Sequence, residues 1–275
     1  MKKHLQNLSF VGLLLIFFSC GDSEFYSTTT TVKTWNLSLS GKNEIPASAS
    51  NAATGTAMLS LLSDNSLKYE FNVTGLASGD ALSNSHLHVG NAGSNGPVVL
   101  PITMTFTEGG TKGTITNLRK SLVDSLKSDE NEIYFNVHST MIPAGIVRAQ
   151  LNTTVEFAMD VPLSSTNEVN PTTPIVPTAS GTAILRMTGN KMLYSNVSVT
   201  GLAATDKLSM AHIHAGASGA NGAVLIALAA TETDFGITKT ITLADDQYNK
   251  LKTDALYVNA HSTTYPAGVA RGQIR

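Results

Sequence analysis

Apolar and polar residues alternate along most of this chain. Trp35, Leu37 and Leu39 interleave with Thr34, Asn36 and Ser38, the period of a strand with one buried face. Met159, Val161 and Leu163 repeat that pattern. Ala57 to Leu62, Leu67 to Val73 and Gly96 to Ile102 read as further strands bounded by turn residues, and so do Ala183 to Met187, Met192 to Val199 and Ala223 to Leu228. Leu118, Leu122 and Leu126 instead recur every four residues, which predicts a short helix; Leu243 to Leu251 is its weaker equivalent. Many short strands with one helix per unit predict an all-β protein of antiparallel β-sandwich domains, Ig-like or Greek-key in type.

The elements come in two sets. Gly55-Thr56-Ala57 returns as Gly181-Thr182-Ala183, Thr74-Gly75-Leu76 as Thr200-Gly201-Leu202, and Asn43-Glu44 as Asn167-Glu168. Two tandem domains are expected, over residues 32–152 and 153–275, with Asn152-Thr153-Thr154 as the only linker. The length of 275 residues suffices for two ordinary cores.

The repeat concentrates the histidines. Each copy carries a His-x-His-x-Gly strand, His86-Leu-His88-Val-Gly90 and His212-Ile-His214-Ala-Gly216. Each follows it with a second signature: Tyr134-Phe-Asn136-Val-His138, Pro143-Ala-Gly145 and Arg148-Ala-Gln150 in one, Tyr257-Val-Asn259-Ala-His261, Pro266-Ala-Gly268 and Arg271-Gly-Gln273 in the other. Six of the seven histidines lie in these stretches. Residues two apart on a strand share a face, so His86 and His88 point together, opposite Leu87 and Val89. The same argument pairs Asn136 with His138 and Arg148 with Gln150. If the apolar sets face the core and these strands are neighbours, each domain carries one polar cluster on its non-core side.

Composition narrows the classes. Net charge is −2, only 14% of residues are charged and no basic patch stands out, so nucleic acid is not an expected partner. The single cysteine, Cys20, cannot form an internal disulfide. It ends an apolar stretch, Leu8 to Phe18, that follows Met1-Lys2-Lys3 and is too short for a comfortable membrane span. Phe17-Phe18-Ser19-Cys20 resembles a bacterial lipobox, with phenylalanines where that pattern favours Leu and a smaller residue. The resemblance implies a signal peptide over residues 1–19, lipidation of Cys20, and a polar tether over 20–31. Gly21, where an Asp would favour inner-membrane retention, implies an outer-membrane lipoprotein of the cell envelope, periplasmic or surface-exposed.

The combined motif, running from His-x-His-x-Gly through Gly96-Pro97-Val98-Val99 to the Tyr-x-Asn-x-His, Pro-x-Gly and Arg-Gly-Gln elements, resembles the CHRD domain. This module is named for chordin and is widespread in bacterial exported proteins. The resemblance covers both copies. Members often carry Glu after the Gly of Pro-x-Gly, where this chain has Ile146 and Val269, and Ala149 replaces a usual Gly. The family implies no settled activity.

Three readings of the polar cluster stand open. The triads His86, His88, His138 and His212, His214, His261 suit Zn²⁺ or Cu²⁺, although a nearby Arg148 or Arg271 opposes a cation. The His-x-His strand loosely resembles the copper strand of copper/zinc superoxide dismutases, which implies copper-dependent redox catalysis as the enzymatic alternative. In the second reading His, Asn136, Asn259, Arg, Gln150 and Gln273 satisfy one another and pin loops. In the third, Arg148 and Arg271 fork onto an acidic ligand, a partner protein or a glycan of the envelope. Asp80 and Asp206 read as turn residues, and Asn43-Glu44 and Asn167-Glu168 as loop hydrogen bonding first and a ligand contact second. The expectation is a non-catalytic binding or structural module with no certain cofactor.

Overall fold

The computed structural model describes residues 28–49, 52–102, 106, 110–169, 171, 174–175 and 178–275. The expected signal segment, Cys20 and the tether up to residue 27 lie outside the described residues. Among the described residues no helix is long and apolar enough to cross a membrane.

The first domain runs β1 (Thr31–Ser40), β2 (Thr54–Leu62), β3 (Leu67–Thr74), β4 (Leu82–Val89), β5 (Val98–Pro101), β6 (Gly110–Ile115), α1 (Lys120–Lys127), β7 (Ile133–Ser139) and β8 (Val147–Gln150). The second repeats it as β9 (Val155–Ser164), β10 (Ser180–Thr188), β11 (Met192–Thr200), β12 (Leu208–Ala215), β13 (Val224–Ala229), β14 (Lys239–Thr242), α2 (Asp245–Thr253), β15 (Leu256–Ser262) and β16 (Ala270–Gln273). The protein is all-β in two tandem domains, each with one α-helix, as the alternation implies. Each domain is one eight-stranded antiparallel sheet, in the order β5-β4-β7-β8-β1-β2-β3-β6 and its equivalent β13-β12-β15-β16-β9-β10-β11-β14.

The two faces expected of a sandwich are the halves of that one sheet. They are joined at a single bridge, Ser40 opposite Arg148 in the first domain and Ser164 opposite Arg271 in the second. The halves fold over a shared core. Phe71 on β3 meets Phe135 on β7 edge-on, with ring centroids 5.2 Å apart. The alternating apolar residues Trp35, Leu37, Leu39, Leu59, Leu61, Leu87 and Val137 all lie in this core. α1 closes it with Leu122 and Leu126, and Leu118 just before it is buried as well. α2 buries Leu251, and Leu243 precedes it in the second core. Asp80 and Asp206 bind the turn after the opposite strand, accepting from Met141 N and Thr264 N at 2.9 Å each, as turn residues should.

The domains are locked by polar contacts that the repeat does not share. Arg186 on β10 is fully buried; it donates to Asp160 Oδ1 at 2.8 Å and to Glu44 O of the first domain at 2.5 Å. Asp160 also accepts from Ala47 N at 2.8 Å. Tyr194 Oη bonds Glu132 at 2.6 Å, and Thr238 Oγ1 donates to Gly93 O at 3.1 Å. Gly93 lies so close to Tyr194 that a Cβ there would fall 2.5 Å from the Tyr194 Cβ. Removing one partner of a buried ion pair strands the other, so Arg186→Ala should lower unfolding free energy by about 3 kcal/mol. Lys68, at the position equivalent to Tyr194 on the first domain, is exposed; Lys68→Ala should stay within about 0.5 kcal/mol. Urea denaturation of the two variants beside the parent protein checks both.

Candidate metal centre

Register assembles the polar cluster. β4, β7 and β8 lie side by side, so facing residues form rows across three strands. One row is His86, Asn136 and Arg148, and the next is His88, Tyr134 and Gln150. The second domain gives His212, Asn259 and Arg271, then His214, Tyr257 and Gln273. The alternation leaves Leu87, Phe135, Val137, Val147 and Ala149 in the core on the opposite face. Val89 departs from its expected pairing with Leu87, because it ends the strand and is exposed. A register shift in the β4–β5 ladder falls between Leu87 and His88, the kind of irregularity that re-aims a side chain beside a site.

The non-core face is nevertheless buried, because the β4–β5 connection folds over it. Arg148 and Arg271, open in sequence to pinning loops or to forking onto an acidic ligand, are 1% and 2% exposed and pin loops. Arg148 Nη2 donates to Asn91 O at 2.6 Å and Ser94 O at 3.0 Å, and Nη1 to Asn95 Oδ1 at 3.1 Å. Arg271 makes the corresponding bonds to Ala217 O, Ala220 O and Asn221 Oδ1. Gln150 and Gln273 donate to Gly90 O and Gly216 O. The guanidinium carbon of each arginine lies 3.4 Å from the ring centroid of Tyr134 or Tyr257. His88 and His214 stack on the same tyrosines, within 10° of parallel. Burial lowers the Arg148 pKa to about 10, which leaves it a cation at neutral pH.

The three imidazoles of each domain converge. One ring nitrogen from each of His86, His88 and His138 lies within 4.8 Å of the others, and the same is true of His212, His214 and His261. Their tautomers follow from their partners. His88 Nδ1 meets Gly96 O at 2.8 Å and His138 Nδ1 meets Pro143 O at 2.9 Å. A carbonyl only accepts, so both Nδ1 atoms carry the proton and both Nε2 atoms present a lone pair. His86 Nδ1 donates to His138 Nε2 at 3.0 Å. The second domain repeats every bond, His214 to Gly222 O at 3.0 Å, His261 to Pro266 O at 3.0 Å and His212 to His261 at 3.3 Å. Backbone carbonyls that orient Nδ1–H while Nε2 faces a common point are the outer-shell arrangement of metal-binding histidines. The three residues fit Zn²⁺ or Cu²⁺ in this respect. A tetrahedral zinc needs nitrogens roughly 3.3 Å apart; His86 Nδ1 and His138 Nε2 stand at 3.0 Å, and an ion on both would displace the proton between them.

A carboxylate joins each cluster that the sequence reading placed first in loop hydrogen bonding. Asn43 and Asn167 do bond the backbone, to Arg148 O at 3.1 Å and Arg271 O at 3.0 Å. Glu44 instead turns inward and is 4% exposed. Its carboxyl occupies the space where Gly145 lacks a side chain. A Cβ there would sit 2.7 Å from Oε1, and Gly145 has φ +137°. Glu168 stands in the same relation to Gly268. The positions where the family often carries Glu, Ile146 and Val269, are in the core. Asn136 lies between Glu44 and His88 and influences the titration of both. In each domain the same three buried atoms lack a well-formed hydrogen bond: Glu44 Oε1, Asn136 Oδ1 and His88 Nε2, and Glu168 Oε1, Asn259 Oδ1 and His214 Nε2. All three can accept, so the arrangement favours a positive occupant.

Titration sets a stability window. Burial lowers His86 to about 4, with His138 and His88 adding to the shift. Burial also lowers His261 to about 4, against the Pro266 bond and with His212 and His214 reinforcing it. His88, His138 and His212 are lowered too, burial being the largest cause in each. The unfolded chain then binds protons that the folded chain refuses, so this contribution is complete above about pH 6.5 and is lost towards pH 4. Glu44 and Glu168 oppose it. Burial raises both to about 7, so below that pH they hold protons that the unfolded carboxyls, at about 4.5, do not. The two effects oppose each other, so the imidazole contribution is read with the carboxyls removed. The metal-free Glu44→Gln, Glu168→Gln double variant should unfold at a lower temperature at pH 5 than at pH 7.5; a constant or rising midpoint in that variant would mean that the imidazoles charge in the folded state.

No curated protein and no solved structure matches the chain. The CHRD domain family matches residues 35–151 and again residues 159–274, most of the chain and both clusters. The chain therefore belongs to the CHRD domain family, which it carries in two tandem copies.

Proposed function

We propose that this chain is a non-catalytic binding module of the cell envelope, anchored through a lipidated Cys20, in which each CHRD domain holds one transition-metal ion on its histidine triad. The supporting observation is the orientation of the imidazoles. In both domains two Nδ1–H groups are committed to backbone carbonyls, which aims their lone pairs at the third ring. The cluster thus divides by task. Arg148, Gln150 and Tyr134 frame the covering loop, while His86, His88 and His138 are the ligand set, and the second domain divides likewise. A bound ion would supply a fixed positive charge and tie β4 to β7.

Redox turnover at copper is the second reading. It rests on the partial exposure of His86, His138 and His212, which leaves one side of each triad within reach of solvent. The protein from Ser27 onward, loaded with Zn²⁺ or Cu²⁺ and dialysed, should retain about two equivalents, one per triad. A variant combining His86→Ala, His88→Ala, His212→Ala and His214→Ala should retain none. Superoxide consumption by the copper form would advance the redox reading. A parent protein that keeps no metal, with a variant that unfolds earlier, would make the triads structural.

A further inference from the structure

We propose that Glu44 and Glu168 are the charge-compensating, positioning residues of the two histidine sites, each offsetting the buried arginine that would otherwise repel a metal ion. The inference rests on the metal-binding reading and answers its main difficulty. Arg148 and Arg271 are buried cations in the same clusters as the triads. A lone positive charge in a water-poor site disfavours a second one. The structure supplies one carboxyl per arginine. Arg148 acts electrostatically on Glu44, with Arg186 of the second domain as a smaller contributor that Asp160 already pairs, and Arg271 acts on Glu168.

The placement is built rather than incidental. Glu44 follows a short 3-10 turn at Gly41–Asn43, after β1, and Asn43 ties that turn to the Arg148 carbonyl. Side-chain space is cleared for the carboxyl at Gly145, on the loop that also supplies Pro143 O to His138. Asn136 stands between the carboxyl and His88, on the strand that carries His138. In the second domain Asn259 Nδ2 donates to Glu168 Oε2 at 3.4 Å. In both domains one carboxyl oxygen, the asparagine oxygen and a histidine nitrogen are left over as acceptors. Together they form a cluster of accepting atoms, without a close donor of their own, that a cation would complete.

The test replaces charge while keeping shape. Glu44→Gln, Glu168→Gln and the double variant are compared with the parent protein by competition with a chromophoric chelator, using Zn²⁺ and then Cu²⁺ as the probe. Thermal unfolding of each metal-free form is measured alongside. Each single variant should weaken one of the two equivalents by at least tenfold, about 1.4 kcal/mol, and the double variant both. The metal-free midpoints should hold or rise, because an uncharged amide is easier to bury than a carboxylate. The visible band of bound Cu²⁺ should shift in the altered site alone. Unchanged affinity in variants of a protein that binds two ions would overturn the proposal and leave the triads as metal sites. Weaker binding matched by a lower metal-free midpoint would overturn it in favour of a purely structural glutamate. A parent protein that binds neither ion would remove the metal reading and this inference together.

Discussion

A guanidinium buried on the side of the sheet away from the apolar core constrains everything around it. Arg148 and Arg271 are almost fully withdrawn from water. An unpaired charge in such a place costs several kcal/mol, so its donors must all find acceptors. They find them in the carbonyls of the β4–β5 connection and of its counterpart after β12. The loop is thereby drawn down over the strands, and its Gly96 or Gly222 carbonyl reaches the Nδ1 of a histidine. The arginine sets the position of the loop, the loop sets the tautomer of His88 and His214, and the tautomer sets where a lone pair points. The framing residues thereby fix the orientation of the histidines.

Much of this was legible in the sequence, for a physical reason. Strand periodicity is two, so a His-x-His or Asn-x-His spacing states which residues share a face before any neighbour is known. Core burial of Leu87, Phe135 and Val137 followed directly. The repeat identified both copies of every cluster residue. The pairing of β4 with β7 and of β7 with β8 was assumed, and the structure supplies it. What the sequence could not show was depth. A polar residue on the non-core face is ordinarily exposed, so Arg148 read equally as a partner for loop carbonyls, which it is, and as a fork free to meet an anion. Its burial depends on a loop fold that periodicity does not encode.

Glu44 was harder still. It lies far from Asn136 and Gly145 along the chain and meets them only in space, through a turn, with no spacing rule to link the three. The signal present was its recurrence beside Asn as Asn167-Glu168, together with two glycines, Gly145 and Gly268, whose missing side chains make room for it. Loop hydrogen bonding accounts for the asparagine of each pair, and the ligand contact placed second for the pair had no partner residues to define it.

The two copies are alike in their clusters and unlike in their outer faces, and the difference decides how the domains meet. On β9, β10 and β11 the outward positions carry Asp160, Arg186 and Tyr194, each of which bonds the first domain. The equivalent positions on β1, β2 and β3 carry Asn36, Ser60 and Lys68, and strand register confirms the correspondence, Ser60 facing Lys68 as Arg186 faces Tyr194. The other side of the joint diverges too, since Glu132 before β7 becomes Ala255 before β15. A head-to-tail stack of chains through these contacts would therefore lack its buried ion pair and its tyrosine bond. The consequence reaches the sites. The first domain's covering loop is held from outside at Gly93, while the matching residues Ala217 to Asn221 are exposed. Two chemically equal triads thus sit beneath one cover held from both domains and one held only from within its own, and local opening is easier where fewer contacts must break.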